Sequence, residues 1–328
     1  MKSNSYAPLL TLVTSVCLLF NACSDASNTA QIDSQVSAST KPAAPSFNAD
    51  IAYRYIEQQV AFGPRVPGTQ AQKDCAHWIQ TEFSKYADTV YRQEAELTQP
   101  VSNKKYPAIN FIASFHRKAE YRVLLLAHWD SRPWADQDTK EKDKPIDAAD
   151  DAGSGVAVLL EIASHLKATS PKVGVDILLV DAEDVGKTEW SEDSYCLGTQ
   201  YWAANPHVPA YKAMFGICLD MVGAKGARFP LEGFSQQYAG SIQKEIWETA
   251  QQIGYSSYFP FEQGGTITDD HFTINTKASI PCVDIINLQP DNGFGKHWHT
   301  HNDNISIIDK ATLKAVGQTV MQVLYNQE

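Results

Sequence analysis

Residues 173–184 read Val-Gly-Val-Asp-Ile-Leu-Leu-Val-Asp-Ala-Glu-Asp, an apolar, β-branched run that ends in three acids. An apolar run this short is typical of a buried strand in a parallel sheet. Asp181, Glu183 and Asp184 then lie at the carboxyl end of that strand, where open α/β sheets bind their ligands. Adjacent acids there are candidates for a metal ligand beside a general base. For an isolated Glu-Asp pair a solvated acidic turn is the better explanation. The choice between a solvated turn and a functional site therefore depends on the rest of the chain.

The composition bounds the architecture and the partners. The chain has 328 residues, of which 43% are hydrophobic and 20% charged. These values favour one large α/β domain with appendages over two independent domains. The formal net charge of -11 at pH 7 does not provide the basic surface that phosphate backbones require. We therefore expect no nucleic-acid partner.

The first 22 residues have the features of a signal peptide. Lys2 precedes an apolar stretch, residues 7–20, which is too short to span a bilayer but suits the hydrophobic region of an export signal. The sequence Phe-Asn-Ala-Cys-Ser that ends this region resembles the lipobox of bacterial lipoproteins, which implies cleavage before Cys23 and acylation of its thiol. We expect an exported, periplasmic protein that is anchored in the membrane through Cys23. A secreted protein cleaved after Ala22 is the alternative.

Residues 23–47 are rich in Ser, Ala, Thr, Gln and Pro, which predicts a flexible linker followed by one catalytic domain over residues 48–328. Four cysteines fall in that domain: Cys75, Cys196, Cys218 and Cys282. They are scattered and have no C-x-x-C spacing, so they indicate neither a disulfide scaffold nor a zinc finger. The sequence leaves their oxidation state open.

Predicted strands and helices alternate along the domain. The predicted strands lie at residues 89–98, 108–115, 121–128, within 173–184, at 213–222 and at 279–288. The predicted helices lie at residues 50–62, 69–86, 156–166, 198–205, 241–253 and 310–325. This alternation predicts a single α/β domain with a mostly parallel, twisted central sheet and helices on both faces.

Six polar side chains fall at or just past predicted strand ends: His128, Asp151, Glu183, Asp184, Asp220 and His299. Each residue alone is weak evidence for a functional site, since a lone histidine is more often a hydrogen-bonded structural group. Together they supply the imidazole and carboxylate ligands that zinc prefers. Buried acids that converge at one sheet edge would repel one another unless a cation compensates them. The sequence therefore predicts a metal site.

The order of these residues resembles the M28 zinc aminopeptidase superfamily. The matching pieces are His-x-Asp at residues 128–130, Asp-Asp-x-x-Ser-Gly at 150–155, the paired acids 183–184, Asp220 and His299. Within it, the chain more closely resembles the animal-type glutaminyl cyclases and their bacterial relatives. This closer resemblance rests on three motifs: Trp-Ser-x-Asp-Ser-Tyr at 190–195 with Gly198, Asp-Asp-His at 269–271, and Phe294 and Trp298 ahead of His299. The resemblance runs from residue 50 to the C-terminus and implies a zinc aminopeptidase-like α/β/α sandwich.

The resemblance also implies roles for individual residues. The zinc ligands of the cyclases correspond to Asp151, Asp184 and His299. The general acid/base corresponds to Glu183, and two acids in a hydrogen-bond network beside it correspond to Asp220 and Asp269. The apolar substrate pocket corresponds to Trp190, Ile267, Phe294 and Trp298. The chain departs from the animal pattern at Asp184, where those enzymes carry glutamate.

Three functions stay open on the sequence alone. The first is a glutaminyl-peptide cyclotransferase with one zinc, which converts the N-terminal glutamine of peptides to pyroglutamate and releases ammonia. The second is an aminopeptidase with two zinc ions, in which His128 and Asp220 bind the second and Asp151 bridges the pair. The third is a lipid-tethered binding module without catalysis. His297 and His301 are expected to be exposed, and the oligomeric state is left open.

Overall fold

A six-stranded sheet forms the centre of the structure, a computed structural model that describes residues 43–291 and 293–327. Its strands are β1 (Thr89–Thr98), β2 (Lys105–Phe115), β3 (Arg122–His128), β4 (Gly174–Val180), β5 (Phe215–Asp220) and β6 (Cys282–Ile286). They are arranged in the order β1-β2-β4-β3-β5-β6. Neighbours from β4 to β6 run parallel, whereas β2 is antiparallel to both β1 and β4. The predicted α/β class with a mostly parallel sheet is confirmed.

Helices cover both faces of this sheet. They are α1 (Ala49–Ala61), α2 (Gln70–Tyr86), α3 (Gly153–Ala168), α4 (Leu197–Ala204), α5 (Gly233–Gln252), α6 (Asp270–Thr273) and α7 (Lys310–Asn326). Leu125 of β3 packs in the larger core cluster with α1, α2, α3, α5 and α7. Its neighbours Leu124 and Leu126 pack in a second cluster that includes Trp202 of α4. This alternation follows from the two-residue period of a strand, and it explains why β3 is apolar from residue 123 to residue 127.

Several element bounds differ from the prediction. β2 begins at Lys105 rather than 108, and α3 begins at Gly153 rather than 156. α5 begins at Gly233 rather than 241, because Glu232 accepts hydrogen bonds from the amides of the first turn and caps the helix there. The helix is kinked at Ala239, and the predicted helix corresponds to the part after this kink. β5 and β6 are shorter than the apolar runs that predicted them. The apolar runs continue past the ladder into buried loops.

The folded region also begins earlier than residue 48. Phe47 is buried against α7, where its ring lies so close to Gly317 that a side chain there would overlap it. The amides of Ala44 and Phe47 donate to Gln322 and Gln318 of the same helix, at 3.1 and 2.9 Å. The predicted linker therefore ends before Ala44. The predicted signal peptide and Cys23 anchor lie outside the described residues.

The first turn of α3 packs directly on the end of β5. A Cβ atom on Gly155 would overlap the carbonyl oxygen of Leu219, so the helix can approach this strand only because residue 155 is glycine. The segment that precedes α3 contains Asp150 and Asp151. Close packing of α3 therefore brings Asp151 to the carboxyl end of the sheet.

Asp181, the first acid after β4, holds the sheet to α2. Its buried carboxylate accepts hydrogen bonds from Gln72 Nε2 at 2.6 Å and from the backbone amides of Ile109 and Ala182, both at 2.8 Å. Burial raises the pKa of Asp181 well above its usual value, and the neighbouring Asp130 raises it further. Three donors converge on this carboxylate, so its contribution is structural.

The four cysteines of the described domain are free thiols, and all four are buried. Cys218 and Cys282 pack in the core cluster on the α4 face of the sheet. Within residues 43–291 and 293–327 no helix combines the length and the apolar character needed to cross a membrane.

Asp181→Ala should lower the free energy of unfolding by about 2–4 kcal/mol, because three buried donors lose their acceptor. The measurement is urea unfolding followed by circular dichroism. Asp143→Ala, in an exposed loop, is the matched control and should leave the unfolding midpoint unchanged. Equal midpoints for the two variants would contradict the structural role of Asp181.

Candidate active site

The predicted site residues converge at the carboxyl edge of the sheet. His128 ends β3, Asp220 ends β5, and Glu183 and Asp184 follow β4, the strand beside β3. Loops and helix starts bring the other three to the same edge, namely Asp151 before α3, Asp269 at the N-cap of α6, and His299 after β6. All are buried except Glu183, which is partly exposed. The strand order β4-β3-β5 makes this convergence a property of the fold.

Asp151, Asp184 and His299 form one group of candidate metal ligands, with donor atoms within 4.8 Å of one another. His299 Nε2 lies 3.7 Å from Asp151 Oδ2 and 3.6 Å from Asp184 Oδ1. Both distances are too long for hydrogen bonds. Two ligands about 2.0–2.2 Å from a tetrahedral zinc lie roughly 3.3–3.5 Å apart, close to these values. The second oxygen of Asp184 is buried and has no hydrogen-bond partner among the described residues, so the group fits a divalent cation.

His128, Asp151 and Asp220 form a second group that satisfies the same distance criterion. Its geometry differs, because His128 Nε2 lies only 2.9 Å from Asp151 Oδ1, an ordinary hydrogen-bond distance, and 3.4 Å from Asp220 Oδ1. Burial opposes protonation of His128, but hydrogen bonds to Asp130, Asp151 and Asp220 raise its pKa well above the usual value. His128 is therefore placed to hold Asp151 by a charge-assisted hydrogen bond.

Asp130 orients the paired acids after β4. Its buried carboxylate accepts the amide of Glu183 at 3.1 Å and the amide of Asp184 at 3.2 Å. Burial raises the pKa of Glu183 well above its usual value, and the charges of Asp184 and Asp269 add to this while His128 opposes it. A carboxyl group with a raised pKa is a stronger proton acceptor than an ordinary glutamate. Glu183 can therefore serve as a general acid/base.

A buried polar cluster supports Asp269 from behind. Asp269 shares a set of close donor atoms with Asp284, which lies on β6. His271 Nδ1 lies 3.4 Å from Asp284 Oδ2, and its Nε2 lies 3.0 Å from Glu232 Oε2. Glu232 Oε1 also accepts the amide of Ile267 at 3.0 Å. Asp284 and Glu232 were not predicted from the sequence. For Asp284 the available signal was an acid inside the apolar run of β6.

A cavity of about 310 Å³ opens beside these groups. Its wall contains the four residues of the predicted substrate pocket, Trp190, Ile267, Phe294 and Trp298, together with all the predicted acids and His299. The Phe294 and Trp298 rings lie 4.4 Å apart, and Trp298 stacks on the ring of His299 at 3.7 Å. The aromatic wall is thus continuous with the candidate ligands, as a site for a small side chain requires.

Three of the histidines considered in the sequence lie outside this cavity wall, namely His128, His297 and His301. His128 sits behind Asp151 and Asp220. The expectation that His297 is exposed is wrong, because its Nε2 lies 3.0 Å from Asp150 Oδ2 and its side chain is largely buried. His301 is partly exposed and pairs with Asp138 at 2.9 Å. Aspartates from distant loops hold these two histidines, so spacing along the chain could not reveal their partners.

The sequence matches peptidase family M28 over residues 110–324. The chain belongs to peptidase family M28. The predicted resemblance to this superfamily is confirmed, and the match contains each of the candidate ligands.

Relatives of known structure share the whole fold. The chain is 51% identical to a glutaminyl cyclase from Tannerella forsythia. The alignment covers 87% of this chain and 100% of that chain, and the two structures superpose with a TM-score of 0.84. It is 49% identical to a Zn-dependent exopeptidase from Parabacteroides distasonis, with the same coverage and a TM-score of 0.85. A glutaminyl cyclase and a Zn-dependent exopeptidase are thus similar to this chain at nearly the same sequence identity.

Animal relatives are more distant. The chain is 25% identical over 244 residues to the glutaminyl-peptide cyclotransferase of Gloydius blomhoffii, covering 65% of this chain and 64% of that protein. The chain thus spans less than two thirds of the length of the curated relatives it matches first. The predicted resemblance to animal-type and bacterial glutaminyl cyclases is confirmed.

His299→Ala should lower the zinc content by at least about tenfold, because it removes the donor that faces both Asp151 and Asp184. Zinc per chain is measured by mass spectrometry after dialysis against a zinc buffer. His301→Ala removes a histidine from the same loop without touching the candidate ligands, and it should retain wild-type zinc. Equal zinc contents in the two variants would exclude His299 as a ligand.

Proposed function

We propose that this protein is a zinc-dependent glutaminyl-peptide cyclotransferase, which acts on peptides and proteins with an N-terminal glutamine. The observation that carries the proposal is the contrast between the two donor groups. His299 Nε2 lies 3.7 and 3.6 Å from the oxygens of Asp151 and Asp184, which leaves room for a cation, whereas His128 Nε2 lies 2.9 Å from Asp151 Oδ1, in direct contact. One zinc held by Asp151, Asp184 and His299 accounts for this contrast. The glutaminyl cyclase from Tannerella forsythia supports the same assignment.

Zinc bound to these residues would act as a Lewis acid on the γ-carbonyl oxygen of the substrate glutamine. Glu183 accepts a proton as the α-amine attacks the γ-carbonyl carbon. A new carbon–nitrogen bond closes the ring, the side-chain carbon–nitrogen bond breaks, and Glu183 returns the proton to the departing ammonia. Nucleophile and electrophile belong to one residue, so the pocket needs only to hold that residue in a folded conformation.

Asp269 assists Glu183 through its charge. Asp220 and Asp269 both line the cavity, and Asp269 raises the pKa of Glu183 beyond the effect of burial. A higher pKa keeps the proton on Glu183 until the leaving nitrogen takes it. Asp269 therefore tunes the pKa of the group that carries the proton.

The aromatic wall fixes the glutamine side chain. Phe294 and Trp298 pack against each other, and Trp190 lies edge-on to Trp134 with ring centroids 6.3 Å apart. Ile267 completes the apolar lining. Apolar walls also exclude water, which would otherwise compete with the amine for the γ-carbonyl.

A dinuclear aminopeptidase is the second candidate. It is favoured by the complete donor group of His128, Asp151 and Asp220, and by the exopeptidase description of the Parabacteroides distasonis relative. In that case two zinc ions would bind, and the products would be a free amino acid and a shortened peptide. A non-catalytic binding module is disfavoured, because the proposed ligands and Glu183 are all present.

Purified protein should release ammonia from a glutaminyl peptide, release no leucine from a leucyl amide, and contain one zinc per chain. Ammonia, leucine and zinc are measured on the same preparation. Leucine release with two zinc ions per chain would overturn the cyclase in favour of the aminopeptidase.

Glu183→Gln keeps the shape of the side chain but can neither accept the amine proton nor return it to the leaving nitrogen. Its turnover should therefore fall by about 10²- to 10⁴-fold while zinc is retained.

We also propose that the protein is exported and anchored in the membrane from the periplasmic side by a lipid on Cys23. The support is the N-terminal sequence, with its short apolar region ahead of Cys23. Labelled palmitate should be incorporated into the wild-type protein in cells and not into Cys23→Ser. Equal labelling of both would exclude Cys23 as the acylated residue.

A further inference from the structure

Arg132 is a buried cation directly behind the candidate ligands. Its side chain is fully inaccessible, and its Nη1 donates to Asp184 Oδ1. The same guanidinium donates to Asp136 through Nε at 2.8 Å and through Nη2 at 2.7 Å. Both residues lie in the loop after β3, which contains no helix or strand. One guanidinium thus joins a candidate zinc ligand to an acid outside the ligand group.

Asp136 in turn faces His299. His299 Nδ1 lies 3.4 Å from Asp136 Oδ1, while its other nitrogen, Nε2, faces Asp151 and Asp184. The backbone reinforces this approach, because the amide of Gln137 donates to the carbonyl of His299 at 3.2 Å. His299 Nδ1 is buried and has no hydrogen-bond partner among the described residues, so Asp136 acts on it through its charge. A carboxylate this close favours the tautomer with the proton on Nδ1, which leaves the lone pair of Nε2 directed at the candidate ligands.

We infer that Arg132 and Asp136 form a bridge that positions two of the zinc ligands at once, Asp184 through the guanidinium and His299 through the carboxylate. The inference rests on the proposed ligand set. Neither residue lines the substrate cavity, so both are positioning residues rather than catalytic ones. The planar guanidinium suits this task, since it presents separate donors in fixed directions to two carboxylates.

The bridge also gives a physical reason for aspartate at position 184. Aspartate is shorter than glutamate by one methylene, so its carboxylate has less reach and fewer rotamers. Arg132 holds one oxygen of Asp184, and the other oxygen is buried without a hydrogen-bond partner among the described residues. A short acid with one oxygen fixed by Arg132 is already oriented before a cation binds.

A general role in ordering the loop is the competing explanation, and the chain supplies a control for it. Asp138, two residues further along, pairs with the next histidine, His301, at the shorter distance of 2.9 Å from Nδ1. It also accepts the backbone amide of His301, at 2.9 Å. His301 faces none of the candidate ligands, so Asp138 orders the same pair of loops without reaching the proposed zinc site.

The test compares Asp136→Asn with Asp138→Asn in the full chain, using zinc alone as the probe. The dissociation constant is measured by competition with a fluorescent chelator. Asp136→Asn should weaken zinc binding by about 10- to 100-fold, the usual effect of removing an outer partner of a ligand. Asp138→Asn should bind zinc as the wild type does. Arg132→Lys keeps the charge but loses the fork, and it should also weaken zinc binding.

Two further readouts separate positioning from folding and from catalysis. Zinc-free Asp136→Asn should melt below zinc-free Asp138→Asn, because it takes one carboxylate away from the fully buried Arg132, so the zinc affinities are compared at a temperature where both variants are folded. Turnover by Asp136→Asn should recover at saturating zinc, because Glu183 and the pocket are intact, whereas Glu183→Gln should not recover.

Wild-type zinc affinity in Asp136→Asn, or equal weakening in Asp138→Asn, would overturn the bridge. A wild-type protein that binds no zinc would overturn the ligand set and the bridge together. A wild-type protein that binds zinc and releases leucine would overturn the cyclase assignment, while a selective loss of zinc affinity in Asp136→Asn would still support the bridge.

Discussion

Electrostatic repulsion among buried acids is the constraint on which this site depends. Asp151, Asp184, Asp220 and Asp269 meet Glu183 at one sheet edge. Burial, with a contribution from Asp151, raises the pKa of Asp184 to about 6 even with Arg132 and His299 beside it. Each acid therefore needs a compensating partner. His128 compensates Asp151, Arg132 compensates Asp184, and a cation between Asp151, Asp184 and His299 would compensate the remainder. The polar groups around the site are arranged to keep these acids together.

The fold makes that convergence possible. Parallel strands β4, β3 and β5 end side by side. The polar residues that end or follow these strands therefore lie next to one another at the same edge of the sheet. Gly155 lets α3 pack on β5 and delivers Asp151, and Asp130 fixes the two amides that follow β4. The strand ends thus supply Glu183, Asp184 and Asp220, and the loops and helix starts supply Asp151, Asp269 and His299.

The sequence predicted the parts of this arrangement that have a local signal. Apolar runs ending in acids predicted the strands and placed Glu183, Asp184 and Asp220 at one edge, as the structure shows. The bridge of Arg132 and Asp136 had no such signal, since it lies in a polar loop and contacts a histidine far along the chain. The pairing of His297 with Asp150, and the packing of Phe47 on α7, were missed for the same reason. Contacts between loops leave no periodic pattern in a sequence.

The central claim is that a single cation binds between Asp151, Asp184 and His299, and that His128 is a hydrogen-bond donor to Asp151. Anomalous diffraction at the zinc absorption edge from crystals grown with zinc tests it most directly. The account predicts one strong peak, within coordination distance of Asp151, Asp184 and His299. A second peak of similar height between His128 and Asp220, or no peak beside His299, would contradict it.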